Sequence, residues 1–83
     1  MPTKFTFPDA VALSGAEFTV GHSLAFKKYA KDIMGFVYSD GLWRVEHNNI
    51  CVATGKENCC AYAAREANEV GWRVRNAQAN ADQ

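Results

Sequence analysis

Residues 35–72 read GFVYSDGLWRVEHNNICVATGKENCCAYAAREANEVGW, and this stretch decides the fold. Two turn signals punctuate it, Asp40-Gly41 and Asn48-Asn49. A two-residue turn at Asp40-Gly41 sets Tyr38 opposite Trp43 and Phe36 opposite Val45. A second at Asn48-Asn49 sets His47 opposite Ile50, Val45 opposite Val52 and Trp43 opposite Thr54. Side chains alternate between the two faces of a strand. One face then collects Phe36, Tyr38, Trp43, Val45, Ile50 and Val52. The other collects Val37, Arg44, Glu46, Cys51 and Ala53, with Arg44, Glu46 and Cys51 on the wetter side. A one-residue slip would scatter this segregation, so the two turns support one another. The expectation is a three-stranded antiparallel meander over 36–54.

A helix is expected next. Thr54 followed by Glu57 has the spacing of a capping box, which places the helix at about 56–70. Cys60, Ala63, Ala64, Ala67 and Val70 form its apolar stripe, small enough to lie close against a bulky sheet face. Gly71 suits the left-handed residue that ends a helix. Trp72 and Val74 alternate with Arg73 and Arg75, which suits a short final strand. Residues 76–83 hold no large apolar side chain and read as a flexible C-terminal tail. Residues 1–75 read as a single domain.

The chain before the meander is less regular. Residues 4–20 read as two or three short strands, with a helical turn after Pro8 as the competing reading. Ser23 is placed to cap a helix over about 23–34, with Phe26, Tyr29, Ala30 and Ile33 at helical spacing and Lys27, Lys28 and Lys31 on the other side. The fold class is therefore α+β: one antiparallel sheet, made of the meander and short N-terminal strands, packed against two helices.

With 83 residues the chain supports one modest core. Nine Lys and Arg balance nine Asp and Glu, for a net charge of zero. A protein that grips phosphates usually carries a basic excess, so nucleic acid is disfavoured as a partner. No apolar run reaches the roughly 18–20 residues of a membrane span. Met1-Pro2-Thr3-Lys4 is followed by Phe5-Thr6-Phe7-Pro8 and not by an apolar signal core. Three cysteines are an odd count, and two are adjacent, which is a poor disulfide framework. A reducing, cytoplasmic location without a membrane partner is expected.

The chemistry-bearing residues are few. His47, Cys51, Cys59 and Cys60 are the only soft-ligand cluster, and their spacing fits no closed zinc site. Cys59 and Cys60 diverge by about 100° on a helix. Cys59 near a helix start is a candidate nucleophile, but neither His22 nor His47 is tied to it by a local signature. Thr54-Gly55-Lys56 before a helix lacks the glycines of a phosphate-binding loop. No metal, cofactor or catalytic set is expected. What remains is a binding surface, with Lys27, Lys28, Lys31, Arg44, Arg73 and Arg75 as polar contacts and exposed aromatics as anchors.

Two resemblances bear on function. The expected order of helix, three strands and helix, with Trp43-Arg44-Val45, then Ala53-Thr54-Gly55, then an alanine-rich helix, resembles the double-stranded-RNA-binding domain. That family grips phosphates through lysines at the start of its second helix. This chain has Lys56 followed by Glu57, Asn58 and Cys59, so the family's RNA contacts are not carried over. In size and style the chain also resembles small, motif-poor proteins of phages and prophages, including anti-CRISPR inhibitors. That resemblance implies a non-enzymatic inhibitor that blocks a host protein complex, in the host cytoplasm, by occluding its surface. The alternatives are a nucleic-acid-binding module and a homodimer joined through an open sheet edge or face.

Overall fold

The computed structural model describes residues 6–13 and 18–81. Its elements run α1 (Phe7–Leu13), β1 (Thr19–Val20), β2 (Leu24–Ala30), β3 (Ile33–Tyr38), β4 (Leu42–His47), β5 (Ile50–Lys56) and α2 (Cys60–Ala81). The five strands form one antiparallel sheet in chain order, β1-β2-β3-β4-β5. Helix α2 packs along β3 and β4, and α1 packs on α2. The α+β class and the sheet-against-helix architecture are as expected.

The register of the first hairpin is not. Val37 lies opposite Trp43, Phe36 opposite Arg44 and Gly35 opposite Val45. Its loop has three residues, Ser39-Asp40-Gly41, rather than two. Only Gly41 takes a positive φ, 90°, whereas a two-residue type I′ turn needs two such residues. The Asp40 carboxylate accepts from Leu42 N (3.1 Å), and Gly41 N donates to Tyr38 O (3.0 Å). Three loop residues shift the pairing by one position and turn β3 over. Phe36 and Tyr38 leave the expected core face, and Gly35 and Val37 enter it.

The second turn is as read. Asn48 and Asn49 have φ of 54° and 66°, and His47 pairs with Ile50. Beyond it a bulge intervenes. Glu46 pairs with Cys51, but Val45 pairs with Ala53 and Trp43 with Gly55. Val52 has no partner in β4 and is 49% exposed, and Ile50 is 68% exposed, so neither joins the core. Ala53, half-buried, takes their place.

The helix expected over 23–34 is a β-hairpin. Leu24–Ala30 and Ile33–Tyr38 are strands, joined by Lys31-Asp32. Lys28 pairs with Met34 and Ala30 with Ile33, so Tyr29 is the extra residue of a bulge. A bulge breaks period-two alternation, and both faces of β2 carry apolar residues. The spacing of Phe26, Tyr29, Ala30 and Ile33 therefore imitates a helix. Over 23–70 the order is strands followed by one helix, not helix, strands, helix.

The helix at the N-terminal end is α1, within the stretch read as short strands. Pro8 lies in its first turn, where a missing N–H costs nothing. Thr6 O accepts from Ala10 N at 2.9 Å. Residues 4, 5 and 14–17 of that reading lie outside the described residues.

The inner face of the sheet meets the alanine stripe of α2. Ala25, Tyr29, Ile33, Val37, Trp43 and Val45 are buried with Cys60, Ala63, Ala64 and Ala67, and Ala10, Val11 and Phe18 extend this core. Helix α2 begins at Cys60, later than expected. Thr54 is a strand residue whose hydroxyl donates to Trp43 O (2.7 Å), so it caps nothing. Gly71 does not end the helix either. A Cβ there would overlap the Tyr29 ring, so the glycine serves close approach. The helix runs on through residues read as a final strand and a tail, to Ala81. Gln78 in that extension donates to Asp32 Oδ2 (2.8 Å). Residues 82 and 83 lie outside the description.

Candidate functional site

The slipped register turns Phe36 and Tyr38 to the other side of the sheet. No described element packs on this outer face. Its side chains form three rows across the strands. Leu24 lies beside Tyr38, and Leu42 beside Lys56. The middle row runs Thr19, Phe26, Phe36, Arg44, Thr54. The third runs Lys28, Met34, Glu46, Cys51. None of these residues is buried. Phe26 is 36% and Leu42 37% exposed. Monomeric proteins seldom leave so many contiguous apolar side chains in water.

Arg44 is the polar centre of this face. Its guanidinium carbon lies 5.0 Å from the Phe36 ring centroid and 5.7 Å from that of Tyr38. Arg44 Nε stands 3.0 Å from Glu46 Oε2. That N–H is shielded from solvent and finds no aligned acceptor, so the contact is an ion pair. The two rings and Glu46 hold the guanidinium at the middle of this face.

The six basic residues expected to form a surface fall in three places. Lys28 and Arg44 are on the outer face, and Lys31 is exposed in the β2–β3 turn. Lys27 points to the inner side at the edge of α2. Its ammonium lies 4.9 Å from the Trp72 ring centroid and 5.3 Å from that of Tyr29, and donates to Asn68 Oδ1 (3.2 Å). Arg75 covers Trp72 at 4.8 Å. Arg73 is exposed and pairs with Glu69 at 3.5 Å. Lys27, Lys28 and Lys31 thus form no shared helix face, because they lie on a strand and its turn.

The aromatic half of the face was hidden in the sequence. Phe36 and Tyr38 read as core under a two-residue turn, and Phe26 read as the apolar stripe of a helix. One signal was available. A glycine at the last position of a three-residue loop also suits the left-handed residue that closes a type I turn, so Ser39-Asp40-Gly41 is a second reading of the same dipeptide.

The remaining chemistry-bearing groups are dispersed. Cys51 is exposed on the outer face and Cys59 precedes α2. The Cys60 thiol is buried against Tyr38 O and Ser39 O (3.5 and 3.3 Å), and burial pushes its pKa up. Among the described residues no three His, Cys, Asp or Glu converge as metal ligands. Thr54-Gly55-Lys56 ends a strand, so no helix start presents N–H groups there.

His47 Nε2 lies 3.0 Å from Asp32 Oδ2, beside the Gln78 contact. An open groove of about 600 Å³, lined by Lys31, Asp32, Met34, Glu46 and Gln78 among others, adjoins this cluster. The hydrogen bond from Gln78 is the main reason the Asp32 carboxyl is held below its ordinary 3.8, with His47 adding to it. A depressed carboxylate stabilises the fold above its unfolded pKa, and that stability is lost as pH falls through the folded value. The wild type should therefore lose thermal stability below about pH 4 more steeply than Asp32→Asn, which has no such charge to lose. Melting midpoints measured from neutral pH downward check this; parallel curves would contradict it.

No known family model, curated protein or solved structure matches this chain. Among the described residues no helix is long and apolar enough to cross a membrane.

Proposed function

We propose that this chain is a non-enzymatic binding protein that works by laying the outer face of its sheet on another protein. One observation carries the reading. Phe26 and Leu42, exposed, and Leu24, Met34, Phe36 and Tyr38, half-buried, surround a guanidinium held beside two of the rings. Interface cores are enriched in aromatics, Met and Arg and depleted in Lys. Here Arg44 is central, while Lys28 and Lys56 stand at the margins. Aromatic and Arg side chains of this kind supply most of the binding energy where they become fully desolvated.

The size of the chain and its dispersed His, Cys and acidic groups support an occluding role. A phage- or prophage-type inhibitor of a host complex is the form of that role its style suggests. A nucleic-acid reading has less support. The six basic residues do not line one track, and the net charge is zero.

The test is a photo-crosslinking side chain placed in living cells at Phe26 or Tyr38 on the outer face. The control is Tyr62, 53% exposed on α2. Adducts from the two sheet positions and none from position 62 are expected.

A further inference from the structure

The register of the outer face makes it complementary to itself. Consider a two-fold axis lying parallel to β3, midway between two facing sheets. Rotation about it keeps every row at its own height, seats β3 on the partner's β3, and exchanges β2 with β4. Lys28 then faces the partner's Glu46, and Phe26 faces the partner's Arg44. Leu24 meets the partner's Leu42, and Thr19 meets the partner's Thr54. Met34, Phe36 and Tyr38 meet their own copies along the axis.

Every contact in that set is favourable: two ion pairs, two cation–π contacts and an apolar seam. An in-plane axis perpendicular to the strands exchanges the first and third rows instead. It would set Lys28 against Leu24 and Glu46 against Leu42, leaving charges over apolar groups. The charge pattern therefore selects one of the two arrangements.

We propose that the occupant of the outer face is a second copy of this chain, joined in a face-to-face sandwich about an axis along β3. The proposal rests on the reading of this face as a protein-docking surface and names a second copy, in place of a host complex, as what docks. Isologous two-fold contacts are the commonest form of oligomer, and aligned sheets pack at about 10 Å with a crossing near 30°. Four strands at about 4.8 Å and six residues at about 3.4 Å, with the two residues of β1 beside them, give a face of roughly 420 Å² when flat. Side-chain relief brings it toward the approximately 600–1,000 Å² that each partner supplies to a standard interface.

Light scattering across a concentration series tests the proposal. The wild type should elute at twice 9.2 kDa. Glu46→Lys places like charges against Lys28 on both sides of the seam, beside Met34, and should weaken association about tenfold or more. Lys28→Glu with Glu46→Lys reverses both partners and should restore the dimer. Circular dichroism of each variant confirms that it is folded.

A monomeric wild type overturns the proposal. So does a dimer indifferent to Glu46→Lys, as pairing of β5 edges would give, or a double variant no better than the single. The crosslinks separate this proposal from the reading beneath it. Adducts heavier than two chains, with a monomeric purified protein, overturn the second copy and leave the docking face standing. A monomer that gives no adducts overturns both.

Discussion

Val37→Asp should unfold the domain at room temperature, while Phe36→Asp, one residue away, should leave it folded. Val37 is fully buried in the row between Ala25 and Trp43, beneath the alanine stripe of α2. A carboxylate there would lose its water and gain no partner, at a cost of several kcal/mol. A domain of 83 residues has roughly 4–12 kcal/mol of total stability, at about 0.05–0.15 per residue. The substitution removes most or all of that margin.

Phe36 points the other way, between Phe26 and Arg44. Its loss removes cross-strand contacts of about 0.2–1 kcal/mol each, and the new carboxylate gains the neighbouring guanidinium. Urea denaturation of both variants reads the difference. A two-residue turn at Asp40-Gly41 would give the reverse result, with Phe36→Asp lethal to the fold and Val37→Asp mild. The pair of measurements therefore decides the register on which the outer face depends.

Gly71→Ala should lower stability by about 2 kcal/mol, which corresponds to roughly 10 °C in melting temperature for a domain of this size. The sign is the informative part. Inside a helix, glycine to alanine ordinarily adds up to about 1 kcal/mol of stability. Here the added methyl would fall within the Tyr29 ring. That ring cannot retreat. Gly35 on β3 also lies close against it, Trp72 meets it edge-on at 5.8 Å, and its hydroxyl donates to Ala67 O at 3.2 Å. Overpacking of a filled core costs about 1–3 kcal/mol. Tyr29→Leu in the same chain should recover part of the loss, because the two positions are coupled through contact. A stabilised Gly71→Ala would mean that α2 does not lie as close to β2 and β3 as described.

Much of this fold is legible in the amino-acid sequence, and the illegible parts have definite causes. Asn48-Asn49 announces its turn because asparagine tolerates the left-handed backbone that both residues adopt. Cys60, Ala63, Ala64, Ala67 and Val70 announce the face of α2, because their spacing fits only a helix. Residues 24–34 mislead because the Tyr29 bulge offsets a strand that is apolar on both faces, which yields helical spacing by accident. Gly71 misleads because glycine also serves close approach. Residues 76–81 extend the helix with few apolar side chains, anchored at Gln78 by a contact that is 46 positions distant in sequence.

The candidate site was legible only in part. Arg44 stands out as a charged residue on the wetter face. Its aromatic neighbours read as core, since an alternating strand is equally consistent with either face turned inward. A three-residue loop, one longer than expected, carries Phe36 and Tyr38 from the inside to the outside. The functional reading follows from that slip.

The most direct test of that reading is the ratio of photo-crosslinked product in living cells with the reactive side chain at Phe26 against Tyr62. Strong adducts from position 26, absent from position 62 and abolished when Phe36→Asp is added to the same folded chain, are the predicted result. Equal yields from the two positions, or adducts from the helix alone, would contradict the claim that the outer sheet face is where this protein binds.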